Sequence, residues 1–205
     1  MESFKRITGI AAPLLRANID TDQIIPTRFL ARMSEEGLGE GLFAEWRVRP
    51  DGSPDPDFAL NNAPWDRAQI LVAGPNFGCG SSREAAPRAL RQRGFRAVIA
   101  PSFGDIFLNN CFQNGLLPIA LPAATVTLLA EAALALGAQL TIDLEAQQIL
   151  APGDLRIGFA IAPLRREALL QGLDEFGQTL RRLPEIAAWQ QADRAARPWI
   201  WLQPR

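Results

Sequence analysis

A chain of 205 residues, 48% hydrophobic and 21% charged, carries enough apolar material to bury a core and reads as one domain with extensions. A net charge of -1, with Lys5 the sole lysine and the arginines scattered, leaves no basic face for nucleic acid. The longest apolar runs, 116–121 and 126–136, are too short to cross a membrane, and MESFKRITG at the start lacks a secretory apolar segment, which implies a cytoplasmic protein.

Residues 1–66 look irregular, with the segment NIDTDQIIPTRFL at 18–30 and an exposed Pro/Gly/Asp-rich loop at 49–58. From residue 68 the pattern becomes strand, loop and helix. A strand at 68–73 is followed by a helix that runs to Arg93 and is closed by Gly94, then by a strand at 95–100. A helix at 102–113, closed by Gly115, and a strand at 116–121 repeat the unit, so a small, mainly parallel sheet is expected. A helix at 125–136, strands at 140–144 and 155–161, and helices at 163–170 and 184–196 complete the series. The tail at 197–205 carries Trp199, Ile200 and Trp201, which suit either an interface or an arm folded on its own core.

The junction GPNFGCGSSREAAPRAL at 74–90 delivers a Gly-rich turn onto a helix N-terminus, where unpaired N–H groups and the helix dipole favour anions. Ser81 and Glu84 match a capping box, with Ser81 as N-cap, and Arg83 offers a planar fork that grips a carboxylate. The same residues also suit a plain strand-to-helix corner in which Ser81 only caps. Pro87 conflicts with a helix drawn from Ser81, which must either kink or begin later. Nucleotide loops are excluded, since no lysine follows Gly80 and the third glycine of G-x-G-x-x-G is replaced by Arg83. With no histidine, Ser-His-Asp and Cys-His chemistry are unavailable within the chain; Cys79 and Cys111 are too few and too far apart for a disulfide framework or a chelating pair.

Three segments, at 18–30, 76–90 and 94–119, resemble in order and spacing the small subunit of 3-isopropylmalate dehydratase and the mobile fourth domain of aconitase. The likeness continues through PDFALN at 56–61, TIDLEAQQI at 141–149 and QGLDEFGQTL at 171–180, and so covers nearly the whole chain. It implies an α/β fold in which residues 1–205 form a single swivelling β/β/α domain, with an irregular N-terminal region, a small, mainly parallel sheet, flanking helices and a C-terminal helical tail. It implies a hydro-lyase that isomerises 2-isopropylmalate to 3-isopropylmalate in leucine biosynthesis, active as a heterodimer with a large subunit carrying a 4Fe-4S cluster. No cofactor or metal is then expected on this chain. By motif position Ser81 is the catalytic base, Arg83 a substrate-carboxylate ligand and Ser82 a supporting hydroxyl, while Phe29, Leu30 and Arg32 fall in the segment that selects the substrate side chain. In Asp20-Thr21-Asp22 the carboxylates are expected either to organise the loop at the active-site rim by capping backbone N–H groups or, equally, to form an ordinary Asx turn.

Family members read R-E-H-A-P-W-A-L where this chain has Ala85 and Arg88, and R-H-C-L-L-N-G where it has Glu167 and Ala168. Neutral drift in a divergent copy is the plainer account of these departures; if they surround the mouth of the site, they would instead suit a paralogue acting on another 2-alkylmalate or related hydroxy acid, and a non-catalytic module that binds an acid or regulates a partner is the alternative from a different class. Retention of Ser81 and Arg83 favours dehydratase chemistry.

Overall fold

The computed structural model describes residues 1–30, 35–134 and 139–201. A single seven-stranded sheet organises the chain in the order β4-β3-β2-β1-β5-β6-β7. Its strands are β1 (Arg6–Leu14), β2 (Ile70–Ala73), β3 (Ala97–Ala100), β4 (Leu117–Ala120), β5 (Gln139–Asp143), β6 (Gln148–Ala151) and β7 (Leu155–Gly158). One half is parallel, through β1 with β2, β2 with β3 and β3 with β4; the other half is an antiparallel meander that begins where β5 pairs with β1. β1 is therefore the hinge between two sheet types, and it makes the sheet larger than the small one expected.

That strand lies within the region expected to be irregular. Gly9 and Pro13 punctuate it, and neither reads as strand in isolation. Gly9 packs closely on Gln69, where a Cβ would stand 2.4 Å from the movable Gln69 Oε1 and 3.0 Å from the Gln69 Cβ. The expected strands and helices elsewhere are present with ends shifted by a few residues, whereas β6, with one buried residue in four, gave too little pattern to be seen.

Three short helices, α1 (Thr21–Ile24), α2 (Thr27–Leu30) and α3 (Ala44–Arg47), lie in the long connection from β1 to β2. Helices α4 (Ala85–Gln92) and α5 (Asp105–Gln113) form the two expected βαβ crossovers, and α6 (Ala123–Leu134) returns the chain across the sheet toward β5. The last two positions of the helix expected at 125–136 lie outside the described residues. Alternation along the strands splits the core by face. Leu71, Ala73, Val98 and Ala100 pack with Leu90 of α4 and Phe107 of α5; Ile70, Val72, Ala97 and Ile99 pack with Leu129 and Ala133 of α6.

The C-terminal part is α7 (Pro163–Gln171), α8 (Glu175–Arg181) and α9 (Leu183–Ala196). α8 escaped the sequence reading, although Asp174 is a regular N-cap that accepts from Gly177 N at 2.7 Å. The described part of the tail, residues 197–201, folds onto α9: Trp201 Nε1 donates to Asp193 Oδ2 at 2.9 Å and Arg194 lies over the indole at 4.6 Å. Trp199 and Ile200 face outward, 65% and 56% exposed, so the tail is tied to its own helix on one side and open on the other.

A close backbone approach joins two loops at the ends of β2 and β3. A Cβ on Gly104 would stand 2.5 Å from the Gly78 carbonyl oxygen, and the obstacle is backbone that cannot rotate away. Gly104→Ala should destabilise the chain by about 1–3 kcal/mol, the usual cost of overpacking, read as a lower midpoint in urea. An unchanged midpoint would show that the two loops can separate without loss.

Candidate functional site

The site lies beyond the carboxyl ends of β1, β2 and β3, where ligands commonly bind in open α/β sheets. The three loops there continue the sheet order as a narrow ribbon. Gly78 N donates to Ile19 O at 2.7 Å and Thr21 N to Cys79 O at 3.0 Å, while Phe77 N donates to Ser102 O at 3.0 Å and Gly104 N to Phe77 O at 2.9 Å. Asn76 adds side-chain ties, donating from Nδ2 to Asn18 Oδ1 at 2.8 Å and from its backbone N to Ser102 Oγ at 2.8 Å. The loop carrying Ser81 is thus held between its two neighbours before it reaches α4. Gly78 and Gly80, at φ +72° and +90°, supply the left-handed turns that this path needs.

The capping box does not form. α4 begins at Ala85, its N-cap is Glu84, and no side chain caps it. The reason is Pro87: in a helix started from Ser81 it would sit in the interior, where its missing N–H and its ring break the ladder, whereas from Ala85 it falls in the first turn. The anion-binding terminus expected beside Ser81 is weakened for the same reason. Ala86 N is spent on Arg83 O at 3.2 Å, and Pro87 has no N–H to offer. Freed from capping, the exposed Ser81 and Ser82 hydroxyls meet no partner among the described residues.

Positive charge at the site comes instead from Arg83, whose side chain is only 13% exposed. Its Nη1 donates to Asp22 Oδ1 and, at 3.2 Å, to Ile25 O. That hydrogen bond holds the Asp22 carboxyl below the usual carboxylate range, against the opposing effect of burial and with added help from the Thr27 hydroxyl, which donates at 3.1 Å. Because folding lowers this pKa, the pair contributes above the range of a free carboxyl, about pH 4, and is lost as pH falls through the lower folded value.

The D-T-D segment divides its work. Asp20 does cap, accepting from Gln23 N at 2.7 Å while Gln23 Oε1 accepts from Asp20 N at 3.0 Å. Thr21, 2% exposed, donates its hydroxyl to the Ser81 carbonyl at 3.0 Å. Asp22 does not cap but pairs with Arg83. One four-residue helix therefore grips the Ser81 turn at two points.

The other expected residues are less concentrated. Phe29 is half-buried and packs on the core; a Cβ on Gly41 would come within 2.7 Å of its ring, and Arg28 covers the ring at 5.0 Å. Leu30 is 37% exposed, and Arg32 lies outside the described residues. Ala85 packs on the core, and Arg88 ties α4 to Glu84 at 2.7 Å and to Asn114 at 3.1 Å. Glu167 and Ala168 do not join the loops at the site: Glu167 pairs with Arg181 at 3.2 Å across the junction of α7 and α8, and Ala168 is buried. Among the described residues no group of three or more His, Cys, Asp or Glu is arranged to hold a metal ion. Cys111 is fully buried on α5, and burial pushes its thiol up. No helix among the described residues is long and apolar enough to cross a membrane.

Comparison with known proteins identifies the family. Residues 1–124 match the aconitase C-terminal domain family, and residues 126–163 match LeuD_N. The chain is 52% identical to the 3-isopropylmalate dehydratase small subunit of Cupriavidus necator, over 98% of each chain. It is 52% identical to the protein of that name from Rhodospirillum centenum, over 97% of this chain and 98% of the relative. Among solved structures, the 3-isopropylmalate dehydratase of Methanocaldococcus jannaschii superposes with a TM-score of 0.67 at 30% identity, covering 89% of this chain and 99% of that one.

The contact between Thr21 and Ser81 yields a direct test. Thr21→Val keeps the shape and removes the donor, and should lower stability by about 0.5–1.5 kcal/mol, the net worth of one hydrogen bond, measured by chemical denaturation. No change would mean that the Ser81 turn is held by its neighbours alone.

Proposed function

The chain belongs to the family of 3-isopropylmalate dehydratase small subunits, built on the aconitase C-terminal domain, and on that footing we propose that its Ser81–Arg83 turn carries the proton transfer and the carboxylate recognition of the enzyme. The protein is a hydro-lyase subunit that, together with a large subunit, interconverts 2-isopropylmalate and 3-isopropylmalate by dehydration and rehydration in leucine biosynthesis. The observation that carries the site assignment is the turn itself: a serine hydroxyl left free by the late start of α4, two residues from a guanidinium that is oriented and mostly buried.

In the dehydration direction Ser81, as its alkoxide, takes the proton from the carbon next to the one bearing the hydroxyl. The C–H electron pair becomes the new double bond as hydroxide departs; readdition at the other carbon, with return of the proton from Ser81, completes the isomerisation. A hydroxyl is a poor base in water, so the alkoxide needs positive charge and N–H donors aimed at it. Arg83 supplies the charge, and the Gly80, Ser81 and Ser82 amides, without partners among the described residues, supply the donors. Arg83 binds a substrate carboxylate and Ser82 supports it. Leu30 offers apolar contact to the isopropyl group, with Phe29 behind it and Arg32 at the end of the same segment. A 4Fe-4S cluster, placed by this reading on the large subunit, supplies Lewis-acid activation of the leaving hydroxyl when bound. This chain offers it no ligand set: histidine is absent, Cys111 is buried on α5, and Cys79 stands alone beside the Ser81 turn. The reading places the enzyme in the cytoplasm.

The four departures from the family pattern do not favour another alkylmalate, because Arg88 and Glu167 are taken up in helix contacts and Ala85 and Ala168 in packing.

Three outcomes test this function. The purified chain alone should show no turnover of 2-isopropylmalate and bind no iron, and activity should appear on adding the cluster-loaded large subunit; turnover by the chain alone would refute the division of labour. In the assembled enzyme Ser81→Ala should lower kcat about 100-fold or more with little change in KM, the pattern of a lost general base. Arg83→Lys should chiefly raise KM, because a point charge cannot reproduce a two-pronged grip. Near-normal kcat in Ser81→Ala would leave that serine with a structural role only.

A further inference from the structure

We infer that Asp22 is a positioning residue that holds the Arg83 guanidinium by Nη1, so that its Nε and Nη2 edge is presented to the substrate carboxylate. This rests on the reading of Arg83 as the carboxylate ligand and adds a residue that sequence grammar assigns to an ordinary turn.

The geometry separates the two edges of one guanidinium. Nη1 is taken by Asp22 Oδ1 and Ile25 O, whereas Nε and Nη2 meet no partner among the described residues. Those two nitrogens also keep contact with solvent, because the one fully buried side-chain nitrogen or oxygen lacking a partner among the described residues is Arg96 Nε. The Nε and Nη2 pair matches the two oxygens of a carboxylate in parallel hydrogen bonds. Asp22 is itself fixed from two directions. Thr27 donates to the same oxygen at 3.1 Å, and the helix that carries Asp22 is closed by the reciprocal bonds of Asp20 and Gln23. A carboxylate anchored this way orients the arginine rather than competing for its open edge. The same helix holds the Ser81 carbonyl through Thr21, so base and carboxylate ligand are set relative to each other by one rigid element. Small displacements of such a ligand are costly in rate or affinity.

The test is a double-mutant cycle in the assembled enzyme with 2-isopropylmalate as substrate. Asp22→Ala should raise KM about tenfold while changing kcat by less than about threefold, the scale at which a supporting group acts through its ligand. In the Arg83→Lys background, whose ammonium cannot offer the two-edged geometry, the same substitution should change KM by less than about twofold. Asp22→Asn, which keeps the acceptor oxygen, should raise KM by about threefold and remains informative if the alanine variant fails to assemble. A fall in KM for Asp22→Ala would overturn the proposal by showing that Asp22 competes with substrate. A full tenfold effect persisting in the Arg83→Lys background would overturn it as well, since Asp22 would then act independently of Arg83. If Arg83→Lys alone leaves KM unchanged, the carboxylate-ligand reading of Arg83 fails, and the role of Asp22 fails with it.

Discussion

The close approach of Gly78 to Gly104 is the constraint on which the site depends. Backbone stands where a side chain would be: a Cβ on Gly104 would meet the Gly78 carbonyl at 2.5 Å, and one on Gly78 would meet the buried Phe107 ring at 2.2 Å. With nothing larger than hydrogen at both positions, the loop after β2 lies flat against the loop after β3 and accepts the loop after β1 on its other side. The parallel order of three strands is thereby carried past their ends, and residues far apart in sequence are held at hydrogen-bond distance. Thr21 reaches Ser81, and Asp22 reaches Arg83, across the same pair of loops that Gly78 joins by donating to Ile19.

The parts that were legible in the sequence are those with a local signal. The apolar runs that became β3 and β4 follow the glycines that end α4 and α5, and the run of β2 leads into Gly74, so both crossovers were readable with small errors at their ends. β1 was not readable, because its small residues answer to neighbours: Gly9 yields to Gln69, and Pro13 sits opposite Val72 in register. The start of α4 was misplaced because a capping-box pattern and an interior proline gave opposite instructions. Proline prevailed, as a backbone clash of about 3 kcal/mol outweighs a cap of about 1 kcal/mol. Ser81 and Arg83 could be singled out by motif; the partners that hold them could not, since Asp22 and Thr21 lie some sixty residues upstream and resemble an Asx turn until the fold brings them together.

The C-terminal helices show a different balance. In α9 only Asp193 is buried, and a helix of 14 residues is marginal alone. Local ties compensate in part: Asp193 accepts from Trp201 Nε1 and from Arg197, and these hydrogen bonds hold its carboxyl below the usual range. Trp189, at 58% exposed, and Phe176 on α8, at 81%, remain outside this network. Aromatic side chains left exposed on a member of a family of dehydratase small subunits suit a chain that works with a partner subunit.

The same conclusion follows from the chemistry at the other end of the molecule. An alkoxide is a usable base only where water is excluded, because bulk solvent at high dielectric screens the donors and charges that stabilise it. Ser81 and Ser82 are exposed in the isolated chain, and Arg83 keeps an open edge. The structure orients Ser81 and Arg83 on one clamped turn without burying the hydroxyl. Under the function proposed above, the exclusion of water and the activation of the leaving hydroxyl would fall to the partner subunit. On that reading, the hydrogen bonds that join the loops after β1, β2 and β3 set this side of the site before the two halves meet.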